Sequence, residues 1–367
     1  MATTLSVFER FLLGGREGAV DAVLSWLTPD LIFRFRYLST SVFYAIEAYI
    51  MRQWDVKDFL GRWFHNVDAF LTTLALSDGV VSGSEAMQFF GRREFRGNDL
   101  DIFVPAHGLL AMGRYVRRCG FVFQPTSDKH PFFDAAALLF CAKQANGSRK
   151  QHKDSSGAYS FSTFSFLRPV AYRCCSAMHA SRLQIVAIRG NPVEYIVNNF
   201  HSSKRHIGSI YHVERIEIIC TAAVMNYLTP TYAISLFPWT TFVDHVTLIC
   251  QDVSKVEPNQ RWMQKYRERG WNALGGADSL PASKELKALE RRIGDGFTWV
   301  MPYRRVGRLL FSSSHHNSDV SQSGLGEREA LPIYNYAFEV LDVTYEVAAS
   351  GAALRVGPRF MYRYVHP

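Results

Sequence analysis

Two aspartates separated by one residue are the side chains of this sequence best suited to chemistry. Asp99 and Asp101 flank Leu100 in a run that predicts a strand over residues 99–104, so both carboxylates project from the same face. Two carboxylates at this separation repel each other unless a cation lies between them. Mg²⁺ prefers such oxygen ligands when it also binds substrate phosphates. The pair therefore predicts a magnesium site in which Asp99 and Asp101 are the metal ligands and the catalytic residues.

A turn of small residues precedes the acidic pair. Ser82-Gly83-Ser84 follows a short strand predicted over residues 79–81 and leads into a helix predicted over residues 85–90. Gly83 lets the backbone approach an anion closely, and the N–H groups of a helix N-terminus bind phosphate. We therefore predict that Gly83 and Ser84 hold a nucleoside triphosphate while the aspartates hold its metal.

Three arginines lie between the turn and the acidic pair, at positions 92, 93 and 96. Their guanidinium groups can clamp a triphosphate or an RNA backbone, or they can form an ordinary solvated loop. Arg92 and Arg93 are the two that we predict to bind the nucleotide. A formal net charge of +8 gives mild support to a polyanionic partner such as RNA.

These motifs resemble the signature of the nucleotidyltransferase-fold superfamily, which includes DNA polymerase β. That signature is a hydrophobic residue, Gly, then Ser or Gly, a spacer, and Asp-hydrophobic-Asp-hydrophobic; here it reads Val81-Ser82-Gly83-Ser84 and Asp99-Leu100-Asp101-Ile102. The sequence is similar over more of its length, about residues 20–305, to a group of basidiomycete fungal proteins of this fold without assigned activity. The further similar segments are Ser82–Phe90, Phe200–Ser202, Val224–Asn226, Tyr232–Phe242 and Lys265–Trp271.

The resemblance implies an α+β fold with a mixed sheet flanked by helices. It also implies Mg²⁺-dependent transfer of a nucleotidyl group from a nucleoside triphosphate to a hydroxyl of RNA, protein or a small molecule. Active members place a third carboxylate on a neighbouring strand, and a histidine at position 201 would be a poor substitute for one. Residues 204–219 form an apparent insertion, or an artefact of gene prediction, close to that position. The candidates for the third ligand are Glu194, Glu214, Glu217, Asp244 and His201.

The N-terminal residues support a competing function. The run from Val23 through Thr28-Pro29-Asp30 to Phe43 is similar to an F-box, a helical module that docks on the Skp-type adaptor of ubiquitin ligases. Such a module needs an apolar helix face, within residues 20–45, that stays partly uncovered. The alternative is that the same face packs on the rest of the chain. If the metal site is incomplete, the protein is a catalytically inactive transferase-fold adaptor.

The elements expected to position these motifs alternate between strands and helices after a helical start. We predict a helical, F-box-like module at 1–75, a nucleotidyltransferase-like α/β domain at 76–250 and C-terminal helices and strands at 251–367. The predicted helices cover 19–27, a segment from 31, 45–52, 63–75, 109–119, 260–269 and 283–293. The predicted strands cover 121–123, 183–188, 216–224 and segments after 334, with loops at 144–165 and 312–329.

Composition excludes several classes of protein. Hydrophobic residues make up 48% of the 367 residues, which is a globular composition. The longest apolar run, residues 135–142, is far shorter than the roughly 20 residues of a membrane span. The six cysteines form no CxxC pair, and the N-terminus offers no secretory signal, so we expect an intracellular location, cytoplasmic or nuclear.

Overall fold

The computed structural model describes residues 5–95, 97–147, 161–169, 182–199, 222–248, 261–274, 290–303, 344–350 and 353–358. It confirms the coarse fold class, because a mixed sheet is flanked by helices and preceded by a helical region. Within these residues, none of the helices has both the length and the apolar character needed to cross a membrane.

Six helices form the N-terminal region, and local signals in the sequence begin several of them. Ser6 and Glu9 form a reciprocal capping box at the first helix, which satisfies N–H groups that have no partner within the helix. Pro29 begins the third helix, where its missing N–H has no cost. The helices are α1 Val7–Gly14, α2 Glu17–Ser25, α3 Pro29–Phe35, α4 Thr40–Gln53, α5 Val56–Gly61 and α6 Val67–Leu76.

The central sheet contains eight strands in the described part of the chain. The strands are β1 Val80–Ser82, β2 Leu100–Pro105, β3 Val122–Gln124, β4 Phe161–Leu167, β5 Arg182–Ile188, β6 Asn226–Leu228, β7 Tyr232–Ser235 and β11 Trp299–Pro302. Their order is β11-β7-β6-β1-β2-β5-β4-β3. Only the β2–β5 pair is parallel among the pairings described for this sheet.

In the ranges that the structure describes, the remaining strands form two small sheets, and five further helices accompany the strands. One small sheet pairs β8 Val246–Leu248 with β9 Asn272–Leu274, and the other joins β10 Glu290–Arg292, β12 Thr344–Ser350 and β13 Ala353–Pro358. A π-helical turn spans Trp239–Val243, and short 3₁₀ helices lie at Ala106–Gly108 and Ala222–Val224. The helices are α7 Ser84–Gly91, α8 Leu109–Arg118, α9 Phe133–Gly147, α10 Pro192–Asn199 and α11 Arg261–Glu268.

The hydrophobic core runs without a break from the N-terminal helices into the sheet. Phe33 of α3 stacks on Trp54 at 5.8 Å and meets Trp299 of β11 edge-on at 5.6 Å. Phe59 of α5 contacts Phe89 of α7 at 5.2 Å. Aromatic pairs of this kind bury large areas and fix the relative position of the elements that carry them. The domain boundaries at 75 and 250 remain predictions. Residues on both sides of each boundary belong to the same hydrophobic core.

Three of the predicted elements are wrong in part. The loop predicted at 144–165 begins within α9 and ends within β4, where every second residue faces the core. The end of the strand predicted at 216–224 is a 3₁₀ helix. The charged helix predicted at 283–293 contains β10, which pairs with β12. Residues 204–219 and 312–329 lie outside the described residues.

Candidate functional site

The Gly83 turn joins β1 to α7 and brings the backbone against the acidic strand. Gly83 has φ +76°, a conformation that L side chains rarely adopt. A Cβ at this position would lie 2.6 Å from Oδ2 of Asp101, so only glycine allows the approach. No side chain caps the N-terminus of α7. The N–H groups of its first turn therefore have no side-chain acceptor, which suits an anion.

Asp101 and Asp99 lie beside this turn. Asp101 is on β2 directly opposite Ser82 of β1, and Asp99 immediately precedes the strand. Burial, and then the neighbouring charge of Asp99, raise the pKa of Asp101 to about 7. No hydrogen bond reaches the Asp101 carboxylate from the part of the chain that the structure describes. A partly buried carboxylate with a raised pKa, such as Asp101, is stabilised in its charged form by a nearby cation.

Gln184 occupies the strand position next to the acidic pair. It lies on β5, is paired in register with Asp101, and is buried. Its Nε2 donates to Oδ2 of Asp99 at 2.9 Å, and Nε of Arg182 lies 3.5 Å from the same oxygen. The neighbouring strand therefore presents an amide and a guanidinium to Asp99, and no carboxylate.

None of the described third-ligand candidates completes a metal cluster. Across the described residues, no group of three His, Cys, Asp or Glu side chains could hold a metal ion. Glu194 is on α10, and Asp244 follows the π-helical turn beside His245. The remaining candidates, His201, Glu214 and Glu217, lie outside the described residues.

Helix α11 and the residue that follows it contribute two cations to the site that the sequence did not predict. Nη1 of Arg269 donates to Oγ of Ser84 at 3.1 Å, and Nη2 donates to Oδ1 of Asn98. Lys265, one turn earlier, interacts electrostatically with both Asp101 and Asp99. Burial, followed by the charge of Arg269, lowers the pKa of Lys265. The spacing of four residues between Lys265 and Arg269 places both on one helix face, and this was the sequence signal that could have predicted their joint role.

The two arginines predicted to bind nucleotide lie in different surroundings. Arg92 donates to the hydroxyl of Tyr49 at 2.6 Å and to the carbonyls of Leu24 and Leu27. These contacts direct its guanidinium to the N-terminal helices, so we leave Arg92 out of the site. Arg93 is exposed, with its guanidinium 5.8 Å from the ring centre of Trp271, and it lies in a cleft beside Arg269.

The two carboxylates beside the Gly83 turn are hard oxygen ligands of the kind that Mg²⁺ binds when water and substrate phosphates supply its other ligands. Asp99 and Asp101 would therefore hold the ion only together with such additional ligands. Burial first, and then repulsion by Asp99, raise the pKa of Asp101, and a bound cation would oppose both effects. Comparison with known proteins adds no further assignment, because no family model, curated protein or solved structure matches the chain.

Proposed function

We propose that this protein binds a nucleoside triphosphate with Mg²⁺ and transfers its nucleotidyl group to a hydroxyl acceptor. One observation carries the proposal: the Gly83 turn, the Asp101 carboxylate and the cations of α11 converge on one place. The approach of Gly83 to Asp101 and the Arg269–Ser84 hydrogen bond define that convergence. The nucleotidyltransferase-like signature of the sequence supports the same activity.

The phosphates would bind at the N-terminus of α7. The N–H groups of its first turn can donate hydrogen bonds to an anion, and Ser84 adds a hydroxyl. Arg269, held by Ser84 and Asn98, presents a planar guanidinium that suits phosphate oxygens. Lys265 adds a second positive charge beside Asp101 and Asp99. The binding energy is therefore electrostatic and depends on salt concentration.

In the transfer step, the acceptor oxygen attacks the α-phosphorus and the bond to the bridging oxygen breaks, so that pyrophosphate leaves. The acceptor's proton would pass to solvent water, because Asp101 would hold the metal and its pKa of about 7 belongs to the site without a cation. Lys265 and Arg269 would stabilise the negative charge that develops on the pyrophosphate. Mg²⁺, held by Asp99 and Asp101, would lower the pKa of the acceptor and neutralise phosphate charge. RNA, protein and small molecules remain the acceptor classes to test.

The test is nucleotide binding and turnover with the full chain. Titration calorimetry with Mg²⁺ should show nucleoside triphosphate binding that an Asp99→Ala/Asp101→Ala double variant loses. An Asp58→Ala variant is the matched control, since Asp58 is an exposed carboxylate on α5. Release of pyrophosphate in the presence of RNA, protein and small-molecule acceptors would then identify the acceptor. If the intact protein shows no metal-dependent nucleotide binding, the proposal fails.

A second function is favoured by the outer face of the N-terminal helices. Trp26 is 89% exposed and Tyr37 is 86% exposed, and Leu38 and Tyr44 are also exposed. A docking surface needs exposed apolar side chains of this kind, provided that they form one continuous patch. Within the same helices Leu24 and other apolar residues are buried against the rest of the chain. We therefore propose an F-box-like interaction with a Skp-type adaptor as the alternative to catalysis.

Co-purification separates this alternative from the enzyme. A Skp-type protein should be retained by the wild-type chain and lost by a Trp26→Ala/Tyr37→Ala double variant. A Met51→Ala variant, also exposed on α4, should keep the partner. Failure of the wild-type protein to retain any Skp-type protein would count against the adaptor function and would leave the enzymatic one untouched.

A further inference from the structure

A cleft of about 590 Å³ opens beside the phosphate-binding turn. Its walls are the segment that follows α7, with Arg93, Glu94 and Phe95, and the end of α11, with Glu268 and Arg269. Pockets of this volume accommodate small ligands. Because Arg269 lines the cleft and also bonds to Ser84, the cleft adjoins the place proposed for the phosphates.

Two of the side chains that line the cleft, Arg269 and Phe95, are stacked on each other. The guanidinium of Arg269 lies 4.5 Å from the ring centre of Phe95. Its two terminal nitrogens donate hydrogen bonds to Ser84 and Asn98. The backbone N–H of Phe95 donates to Oε1 of Gln88 at 2.7 Å. A guanidinium plane and an aromatic ring that are fixed in this way form a stacking platform for a nucleobase.

The rim of the cleft carries charges of both signs that do not neutralise one another. No ion pair within 4.0 Å involves Arg93, Glu94 or Glu268 in the part of the chain that the structure describes. All three side chains are exposed. Oε1 of Glu268 accepts from Nε2 of Gln264 at 2.9 Å, so Glu268 offers a base its other oxygen. Arg93 supplies donors and Glu94 supplies acceptors at the edge of a base that stacks on the platform.

From this arrangement we propose that the cleft is the base subsite of the nucleotide site and that it selects guanine; the inference rests on the function proposed above. Guanine offers acceptors at O6 and N7 that match the fork of an arginine, the role of Arg93. Its N1–H and N2 amino group are adjacent donors that match a carboxylate, the role of Glu94 or Glu268. Adenine and cytosine place a ring-nitrogen lone pair beside the carboxylate, and uracil offers one donor between two carbonyls.

Calorimetry of the full chain with Mg²⁺ tests the proposal, using GTP, ATP, CTP, UTP and ITP. The wild-type protein should bind GTP at least tenfold more tightly than ATP, CTP or UTP. ITP lacks the N2 amino group, so it should bind several-fold more weakly than GTP. A Glu94→Gln/Glu268→Gln double variant should bind GTP and ITP equally and should keep its affinity for inorganic tripolyphosphate. A Glu17→Gln variant, on an exposed residue of α2, should retain the wild-type preference.

The possible failures are distinguishable. If tripolyphosphate and all the nucleoside triphosphates bind with equal affinity, the guanine subsite is overturned and the phosphate site stands. If GTP is preferred but the double carboxylate variant keeps that preference, the assignment of Glu94 and Glu268 is overturned. If neither tripolyphosphate nor any nucleotide binds, the proposed function fails together with the subsite.

Discussion

Gln184 donates a hydrogen bond from Nε2 to Oδ2 of Asp99 at 2.9 Å across the parallel strands β5 and β2. The amide satisfies a carboxylate oxygen that a metal ion would otherwise need to satisfy. It therefore stabilises the acidic pair without adding a third negative charge. A third carboxylate would increase the affinity of the site for a metal ion. The Gln184 amide instead holds the Asp99 carboxylate in place when no metal is bound.

Replacing Gln184 with glutamate should convert the amide into a third carboxylate of nearly the same shape. We expect Gln184→Glu to bind Mg²⁺ about tenfold more tightly, because a further charged ligand is added. Without Mg²⁺ the same variant should melt at a lower temperature than wild type, since three carboxylates repel and the donor to Asp99 is lost. Calorimetric titration and thermal melts measure both effects. Gln184→Met is the control, and a gain of Mg²⁺ affinity in that variant would contradict the explanation.

Gly83→Ala should destabilise the fold and damage the site. Glycines 83 and 97 both have positive φ, but only the Cβ at position 83 would collide with Asp101. We expect Gly97→Ala to cost about 1–2 kcal/mol of unfolding free energy from backbone strain alone. Gly83→Ala should cost about 1–3 kcal/mol more because of the contact. Urea denaturation of both variants measures the difference, and equal losses would show that the contact is unimportant.

The free energy of unfolding of the metal-free protein should decrease as the pH rises from 4 to 7, because of Asp101. Its folded-state pKa of about 7 lies above its ordinary value of 3.8, so the folded state binds more protons than the unfolded state in this range. Asp101→Asn removes this loss and should therefore stabilise the protein above pH 7, by at most about 4 kcal/mol. Below pH 4 the two proteins should be equally stable.

Magnesium supplies the control for that pH dependence. Millimolar Mg²⁺ at pH 8 should raise the melting temperature of wild type and leave Asp101→Asn unchanged. A wild-type stability that does not vary from pH 4 to 7, relative to the variant, would mean that Asp101 keeps an ordinary pKa.

Substitutions of Arg92 and Arg93 should have opposite effects: the first should lower the stability of the fold, and the second should weaken nucleotide binding. Arg92→Met leaves the buried hydroxyl of Tyr49 and the carbonyl of Leu27 without their donor, which should cost about 2–4 kcal/mol of unfolding free energy. Its affinity for nucleoside triphosphate should stay within about twofold of wild type. Arg93→Met should do the reverse, with little loss of stability and weaker nucleotide binding. Denaturation and calorimetry on both variants test the distinction.

The sequence predicted the elements whose signals are local. The Gly83 turn, the helix after it and the Asp99–Asp101 strand follow from neighbouring residues, as does the start of α3 at Pro29. In contrast, the role of Arg269 depends on a residue 185 positions away. No local pattern could show that α11 would pack against the Gly83 turn.

The wrong assignments have a similar physical cause. Strand β4 is rich in serine, which suggested a loop, but its sequence alternates so that Phe164 and Phe166 face the core. That period of two is the signal for a strand, and the polar composition hid it. For β10, charged residues with good helix propensity adopt a strand because β12 pairs with them. Long-range pairing outweighs a local preference of a few tenths of a kcal/mol per residue, as estimated for helix propensities.

The separation of Ser84 and Arg269 by 185 residues also sets a delay during biosynthesis. At translation rates of about 5–20 residues per second, Arg269 is added roughly 9–37 s after Ser84. During that interval the nascent chain holds the turn and the acidic strand without the guanidinium that joins them. Nucleotide could therefore assist the last stage of folding on the ribosome but not the early ones, because its full binding site does not exist until α11 has been synthesised.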